Sequence, residues 1–239
     1  MKYVISIFVA VLVLFGAANQ AKADLFPESL RFEVGATYGK VSPDEIDNML
    51  DEINAVFPES PYDKIENIQG VNFSVHQAVS SNIGVLVGVG YLFGGTNTQK
   101  ITLRTVFDPE GYEVDHDYRL STIPISIGPE IWYESGQFLF RVGVAAVIHF
   151  IQFEERFGEN QDAGYSGNTI SWSGTSLGAD IALSAEWNPV SKYFVGGRFG
   201  YGITGNSELT HDGQSAPIPI NADLSGYHVS IYMGFAPWN

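Results

Sequence analysis

Residues 138–150 read FLFRVGVAAVIHF, and this stretch decides the fold. Every second residue is apolar, from Phe138 and Phe140 through to Phe150, whereas the positions between them include Arg141 and His149. Side chains of a β-strand point alternately to its two faces, so the stretch predicts a strand with one apolar and one mixed face. A strand of this length can cross a bilayer at a tilt.

Seven other segments alternate in the same way: 30–38, 71–76, 84–93, 122–133, 176–187, 193–203 and 226–235. Three connections between them read as tight turns: Ser80-Ser81-Asn82, Ser135-Gly136 and Asn188-Pro189-Val190. The other four are long and polar: 39–67, 94–117, 155–169 and 205–223. Short and long connections that alternate strictly are typical of a membrane barrel with periplasmic turns and outer loops. The sequence therefore predicts an all-β, eight-stranded antiparallel up-and-down transmembrane β-barrel.

The composition of the two faces predicts which one contacts lipid. The apolar face is too bulky to fit inside an eight-stranded barrel, whereas the opposite face is rich in Gly, Ala and Ser. Aromatic residues gather near the strand ends, as in the interfacial girdles of membrane proteins: Tyr38, Tyr91, Phe93, Tyr133, Phe138, Trp187, Tyr193 and Phe235. We expect the apolar face to contact lipid and the other face to line the lumen.

The N-terminus predicts export. Lys2 precedes an apolar run from Val4 to Ala17, and Ala21-Lys22-Ala23 is a cleavage pattern, so residues 1–23 are expected to be a cleaved signal peptide. Residues 24–239 then form the barrel domain, with 10 basic and 27 acidic residues and a net charge of −17. This charge argues against nucleic acid as a partner. Because the chain has no cysteine, packing and hydrogen bonds must hold it together.

The chain resembles the small outer-membrane barrels of the OmpA, OmpX and OmpW type over residues 28–239. Residues 225–231, SGYHVSI, are similar to the insertion signal of their last strand, although the chain continues past Phe235 to Asn239. The resemblance implies a Gram-negative outer membrane as the location. It also implies that the barrel-assembly machinery recognises the C-terminal strand, and that outer-membrane lipids and lipopolysaccharide are partners.

Two acid–base pairs are predicted inside the lumen. Counting back from the turns places Glu130 directly opposite Arg141 and Asp180 opposite Arg198. A closed lumen needs such pairs, because an unpaired buried charge is costly. We favour a structural plug over a switchable gate, because interiors of eight-stranded barrels are usually filled with side chains.

Four other polar residues are expected in the lumen: His76, His149, His228 and Ser230. The histidines lie at different depths, so we expect no metal site and no cofactor. His228 and Ser230 are two apart on one face, a spacing similar to that in lipid A acyl hydrolases. The residues that follow depart from that family's pattern, and neither an orienting acid nor an oxyanion hole is identifiable, so no catalytic residue is assigned.

The first long loop is expected to contain a helix at about residues 43–57. Ser42-Pro43-Asp44-Glu45 reads as a capping box with Pro at the first helical position, and apolar residues follow at helical spacing. We expect the helix to pack on the barrel rim, with a lid or a docking face as alternatives. The second long loop carries Asp108, Glu110, Glu113, Asp115 and Asp117, which we interpret as a solvated acidic loop that could collect divalent cations.

Three functions remain open at this point. The leading one is a non-enzymatic barrel with a structural or surface-interaction role, whose extracellular ligand the sequence does not name. The second is a narrow passive channel for ions or small solutes, and the third is a lipid A acyl hydrolase that uses His228 and Ser230.

Overall fold

The computed structural model describes residues 30–59, 61–103, 112–161, 164–190, 192–211 and 214–237. These residues form eleven strands and one helix. The strands are β1 (Leu30–Val41), β2 (Asn67–Ala78), β3 (Ile83–Gly95), β4 (Gln99–Leu103), β5 (Tyr112–Ser135), β6 (Phe138–Gln161), β7 (Gly164–Val190), β8 (Tyr193–Thr204), β9 (Ser207–His211), β10 (Gln214–Ala222) and β11 (Gly226–Phe235), and α1 (Asp44–Val56) lies between β1 and β2. The expected signal peptide, residues 1–23, lies outside the described part of the chain.

Eight of these strands form a closed ring of antiparallel pairs. Their order is β1, β2, β3, β5, β6, β7, β8 and β11, and β11 pairs back onto β1. Closure pairs the backbone of every ring strand on both sides, as a bilayer requires. The predicted eight-stranded up-and-down barrel is confirmed.

The two faces of the barrel wall match the sequence pattern. Val144, Ile181 and Ile231 are at least half exposed on the outside, whereas Arg141 and Ser230 are buried inside. Among the described residues, no helix is long and apolar enough to span a membrane.

Three neighbouring strands are about twice as long as the other ring strands. β5 and β6 have 24 residues each and β7 has 27, whereas β1 has 12. Outward apolar residues of β6 run from Phe138 to Phe150, roughly 30 Å along the membrane normal at the usual rise and tilt. This span matches the hydrocarbon core, so the remaining residues of β6 lie outside the bilayer.

The outer ends of these long strands are part of a larger sheet. β4 pairs with β5, while β9 pairs with β10 and contacts β7. Much of the polar stretches 94–117, 155–169 and 205–223 is therefore β-sheet rather than loop. The sequence did not reveal this, because these stretches are polar and carry too little apolar alternation to be read as strands.

Two of the three short turns differ from the prediction. Ser135 pairs with Phe138, so the turn is centred on Gly136-Gln137, and Gly136 takes the positive φ of 62° that favours glycine. At the other turn β7 continues to Val190, which pairs with Tyr193, with an irregularity between Trp187 and Val190. Moving a turn shifts all the cross-strand partners that follow from it.

The outer mouth of the barrel is covered by α1, β9 and β10, which we call the outer cap. Ile46 and Leu50 of α1 are completely buried in an apolar cluster. The cluster also contains Val41, Tyr62, Ile65, Ile68, Tyr118, Leu120, Ile151, Phe153, Leu209, Ile220, Ala222 and Leu224. The helix therefore packs on its own barrel, as expected.

The N-terminus of α1 differs from the predicted capping box. Pro43 occupies the cap position rather than the first helical turn, and no side chain caps the helix. The backbone N–H of Asp44 bonds instead to the carbonyl of Ser42. The helix ends at Val56, and Phe57, the last residue of the expected helix, is 62% exposed beyond it.

Candidate functional site in the barrel lumen

Seven ionisable side chains meet inside the barrel near its periplasmic end. They come from six ring strands, and we call them the lumen network: Arg31, Glu33, His76, Glu130, Arg141, Glu186 and Arg198. Glu33, Arg141 and Glu186 are 3% exposed or less, so this part of the lumen is filled with charged groups shielded from solvent.

Arg141 is the centre of the lumen network. Its guanidinium forms ion pairs with Glu33 and Glu186 and lies 3.6 Å from a carboxylate oxygen of Glu130. Arg198 contacts the second oxygen of Glu33 at 2.8 Å, and Arg31 pairs with Glu186. Each carboxylate is therefore held by cations from different strands.

The charges of the lumen network balance. It has three arginines and three glutamates, and the His76 ring lies between Glu33 and Glu130 with each ring nitrogen 2.8 Å from a carboxylate oxygen. Such pairing is necessary, because a buried charge without a partner destabilises a protein by several kcal/mol, on the order of 3–5.

The structure corrects both predicted pairs. Glu130 is close to Arg141 but not directly opposite it, because Arg141 pairs with Trp132 in the shifted β5–β6 register. The Asp180–Arg198 pair was wrong: β7 continues past the expected turn, and Ser184 is the residue opposite Arg198.

Arg31, Glu33 and Glu186 are members that sequence reasoning missed. Each occupies a lumen-facing position in the alternation of its strand, which is the only signal the sequence carries. Glu33 meets Arg141 and Arg198 from far along the chain, after the barrel has closed. Pairing rules for neighbouring strands do not reach across a lumen.

A cavity of about 160 Å³ lies between the lumen network and the outer cap. On one side, the hydroxyls of Thr37 and Ser230 are 2.8 Å apart, and Thr37 donates to the amide oxygen of Asn72 at 2.9 Å. Apolar residues, among them Leu86 and Val147, cover much of the remaining wall. We call this cavity the lumen chamber.

The other predicted polar residues lie in separate surroundings. His228 bonds through Nε2 to the carboxylate of Asp180 at 2.8 Å, and His149 is 3.3 Å from the hydroxyl of Thr122. His76 belongs to the lumen network instead. In the described part of the chain, no group of three or more His, Cys, Asp or Glu side chains is arranged to hold a metal ion.

A second polar cluster lies outside the membrane, beside the outer cap. The Tyr62 hydroxyl contacts Nδ1 of His116, whose Nε2 lies 3.0 Å from Glu155, and the Tyr118 hydroxyl donates to the same carboxylate at 3.1 Å. Burial, together with the charges of Glu155 and Asp117, raises the pKa of Tyr62 to about 12. This cluster joins the segment after α1 to β5 and β6, and no sequence motif indicated it.

The acidic residues of the second loop are partly structured. Asp108 and Glu110 lie outside the described residues, whereas Glu113, Asp115 and Asp117 are on β5. Asp117 is buried, with Arg119 and Arg156 each 3.7 Å from its carboxylate. This carboxylate is therefore neutralised by the protein rather than solvated.

No family model and no curated protein matches the sequence. Among solved structures, the outer membrane protein OprG from Pseudomonas aeruginosa aligns over 87% of this chain and 96% of its own, with 11% identity and a TM-score of 0.51. Neisserial surface protein A aligns over the same shares of the two chains, with 9% identity and a TM-score of 0.47. Ail, the attachment invasion locus protein of Yersinia pestis, aligns over 87% of this chain and 98% of its own, with 14% identity and a TM-score of 0.44.

These identities are low, and the similarity to OprG is a similarity of fold. Together with the closed eight-stranded ring and its apolar exterior, the fold defines a class. The chain has the fold of the small outer-membrane β-barrel proteins.

Proposed function

We propose that this protein is a non-enzymatic outer-membrane barrel that closes its own lumen and presents a structured surface outside the cell. The lumen network is the observation that carries the proposal. Arg141 and its carboxylate partners occupy the space through which a solute would pass, and their charges are already satisfied within the protein. This arrangement favours a plug.

The outer part supports a surface-interaction role. The outer ends of β5, β6 and β7, together with β4 and the outer cap, form a folded platform rather than unstructured loops. A platform held by backbone hydrogen bonds can present side chains in fixed positions, which reduces the entropy lost when a partner binds. An extracellular ligand would bind there.

The route to the membrane is part of the same proposal. β11 ends at Phe235, which pairs with Phe32 of β1 in the closing seam. We infer that the barrel-assembly machinery binds β11 first, and that β1 then replaces the machinery as the pairing partner of β11.

A narrow channel is the second candidate, and the lumen chamber favours it. The chamber has the volume of a small solute and polar groups on its wall. Passage would require both the lumen network and the outer cap to move.

Conductance in planar bilayers separates these two functions. We expect wild-type barrels to show no steady openings, and Arg141→Ala barrels to open, because the variant has a gap beside carboxylates that attract cations. A Lys64→Ala variant is the control, since Lys64 is exposed outside the lumen. Steady wild-type openings that Arg141→Ala abolishes would instead establish the channel.

A lipid A hydrolase is the third candidate, and the Asp180–His228 hydrogen bond favours it by supplying the acid that the sequence did not identify. Against it, the Ser230 hydroxyl bonds to Thr37 and faces the lumen, away from acyl chains in the membrane. We expect mass spectrometry of lipid A to find the same acylation in cells that produce wild-type protein and in cells that produce Ser230→Ala. Deacylation that depends on Ser230 would overturn the non-enzymatic proposal.

A further inference from the structure

The wall of the lumen chamber has a largely apolar half and a polar half. The consecutive ring strands β3, β5 and β6 contribute apolar side chains to the lining: Leu86, Leu92, Pro124 and Val147. On the other side of the ring, β7, β11 and β1 contribute polar side chains: Asp180, His228, Ser230 and Thr37. The chamber therefore has the polarity of a site for a small amphipathic molecule.

The hydrogen bond between Asp180 and His228 crosses β8, the strand that lies between β7 and β11 in the ring. Asp180 is the cross-strand partner of Gly202, and His228 is the partner of Gly200. A Cβ atom at Gly200 would lie 2.3 Å from Nε2 of His228. Glycine at this position is therefore required for the imidazole to lie over β8 and reach the carboxylate.

The carboxylate of Asp180 is accessible from the lumen chamber. The side chains of Asp180 and His228 keep 22% and 24% of their accessible surface, and both line the chamber. Oδ1 of Asp180 accepts the hydrogen bond from His228, whereas Oδ2 makes no hydrogen bond to a described residue. Asp180 therefore keeps one oxygen available to a molecule inside the chamber.

The charges around the lumen chamber favour a cation over an anion. The three arginines of the lumen network already pair with glutamates, whereas Asp180 has no arginine or lysine partner among the described residues. A neutral imidazole is sufficient to donate the hydrogen bond from His228, and the pair then carries the single negative charge of its carboxylate. Because the surroundings are largely apolar, this charge attracts a cation more strongly than it would in water.

The lumen chamber is bounded at both ends by parts of the protein already described. Arg198 of the lumen network lines its periplasmic side. Its outer side is lined by Val41, Ile68 and Leu224, which belong to the apolar cluster beneath the outer cap. An apolar cavity of roughly 150 Å³ holds one benzene molecule, and the chamber has about 160 Å³. One ring-sized apolar body with a single polar head therefore fits.

We propose that the lumen chamber binds one small amphipathic amine whose apolar body has the size of a benzene ring. The ammonium group donates hydrogen bonds to the carboxylate of Asp180, and the apolar body lies against Leu86 and Val147. Such a site goes beyond the closed barrel proposed above. The ligand enters from outside when the outer cap moves, while the lumen network stays in place, so that binding requires no conductance.

Methyl NMR of the full barrel in phosphocholine micelles tests the site, with benzylamine, a cation at neutral pH, as the probe. The methyl groups of Leu86 and Val147 line the chamber and report binding there. Those of Val144 and Ile231 are exposed on the outside and report partition of the amine into detergent. We expect the inner signals to shift with saturation and the outer signals to shift without it.

Two variants separate the role of Asp180 from that of the general negative charge. Asp180→Asn keeps the size of the side chain and should weaken benzylamine binding roughly tenfold, the usual effect of losing a hydrogen bond to a charged group. Glu52→Gln removes an exposed carboxylate of α1, outside the lumen, and should bind benzylamine like wild type. The heat-dependent change in gel migration verifies that each variant is folded.

Two further ligands test the site on the wild-type protein alone. Benzyl alcohol has the same ring and a neutral head, and it should bind wild type about as weakly as benzylamine binds Asp180→Asn. Benzoate, which is an anion, should bind more weakly still. Shifts confined to the outward methyl groups, equal benzylamine binding by Asp180→Asn and wild type, or binding of either other ligand as tight as that of benzylamine would each overturn the proposal. None of these measurements depends on conductance, so the site and the plug are tested separately.

Discussion

Replacing Arg141 with Ala tests the energetic role of the lumen network. The substitution removes the guanidinium that pairs with Glu33 and Glu186 and lies 3.6 Å from Glu130. Truncating one partner of a buried ion pair typically destabilises a protein by about 3–5 kcal/mol, because the remaining charge has no compensation.

The contacts that remain in the variant narrow the expected loss of unfolding free energy. Glu186 keeps Arg31, Glu33 keeps Arg198, and Glu130 keeps the ring of His76. No carboxylate is left without a partner, so we expect the low end of the range, about 3 kcal/mol. Arg198→Ala is the matched comparison: Glu33 then keeps both Arg141 and His76, and the expected loss is about 1 kcal/mol.

The assay unfolds barrels that were refolded in lipid vesicles, with guanidinium chloride as the denaturant. Unfolding is monitored by tryptophan fluorescence and by the heat-dependent change in gel migration. The difference between the two variants is the informative quantity, since both lose an arginine from the same lumen. If Arg141→Ala is no less stable than Arg198→Ala, Arg141 is not the centre of the network and the reasoning fails.

Three further predictions concern the turn, the outer cap and the extracellular cluster. Gly136→Ala should destabilise the barrel by about 1 kcal/mol, because Gly136 has a positive φ. Gly143→Ala is the control and should have a smaller effect, because its new methyl group would lie in ordinary van der Waals contact. The unfolding midpoints of the two variants measure both effects. Leu50→Asp should open the outer cap to protease while the barrel stays folded, because Leu50 is completely buried; Val56→Asp, at an exposed position, should leave cleavage unchanged. Because the pKa of Tyr62 is raised from 10.0 to about 12, the unfolded chain loses this proton first and stability falls as the pH rises between these values. The fall should be smaller in Tyr62→Phe, as measured by unfolding at pH 10 and pH 12, and equal slopes would contradict the assignment.

The ring strands were predictable because lipid imposes a strict rule on them. Phe138, Val144 and Phe150 had to face outward and Arg141 inward, and a period of two residues encodes this arrangement. The outer ends of β5, β6 and β7 obey no such rule. In water, hydrogen bonds and scattered apolar contacts are enough to hold these strands together, so their sequence looked like that of loops.

The lumen site was predictable by residue but not by pairing. Glu130, Arg141 and Arg198 were placed on the correct face, yet one position at the Gly136 turn moved every β5–β6 partner by two. Glu33 belongs to the network through contacts across the barrel rather than along a hairpin. Local sequence contains no information on which strands meet across a lumen, since that depends on ring closure.

Glu33 has a consequence for how the barrel is assembled. It lies on the first strand, while its arginine partners, Arg141 and Arg198, lie on β6 and β8 and enter the chain much later. A growing sheet that has not yet closed leaves this carboxylate without its arginines in a low-dielectric environment. The ion pairs that β1 makes with β6, β7 and β8 therefore form only when β1 joins β11, so that an incomplete sheet lacks this stabilisation and the first strand completes the network.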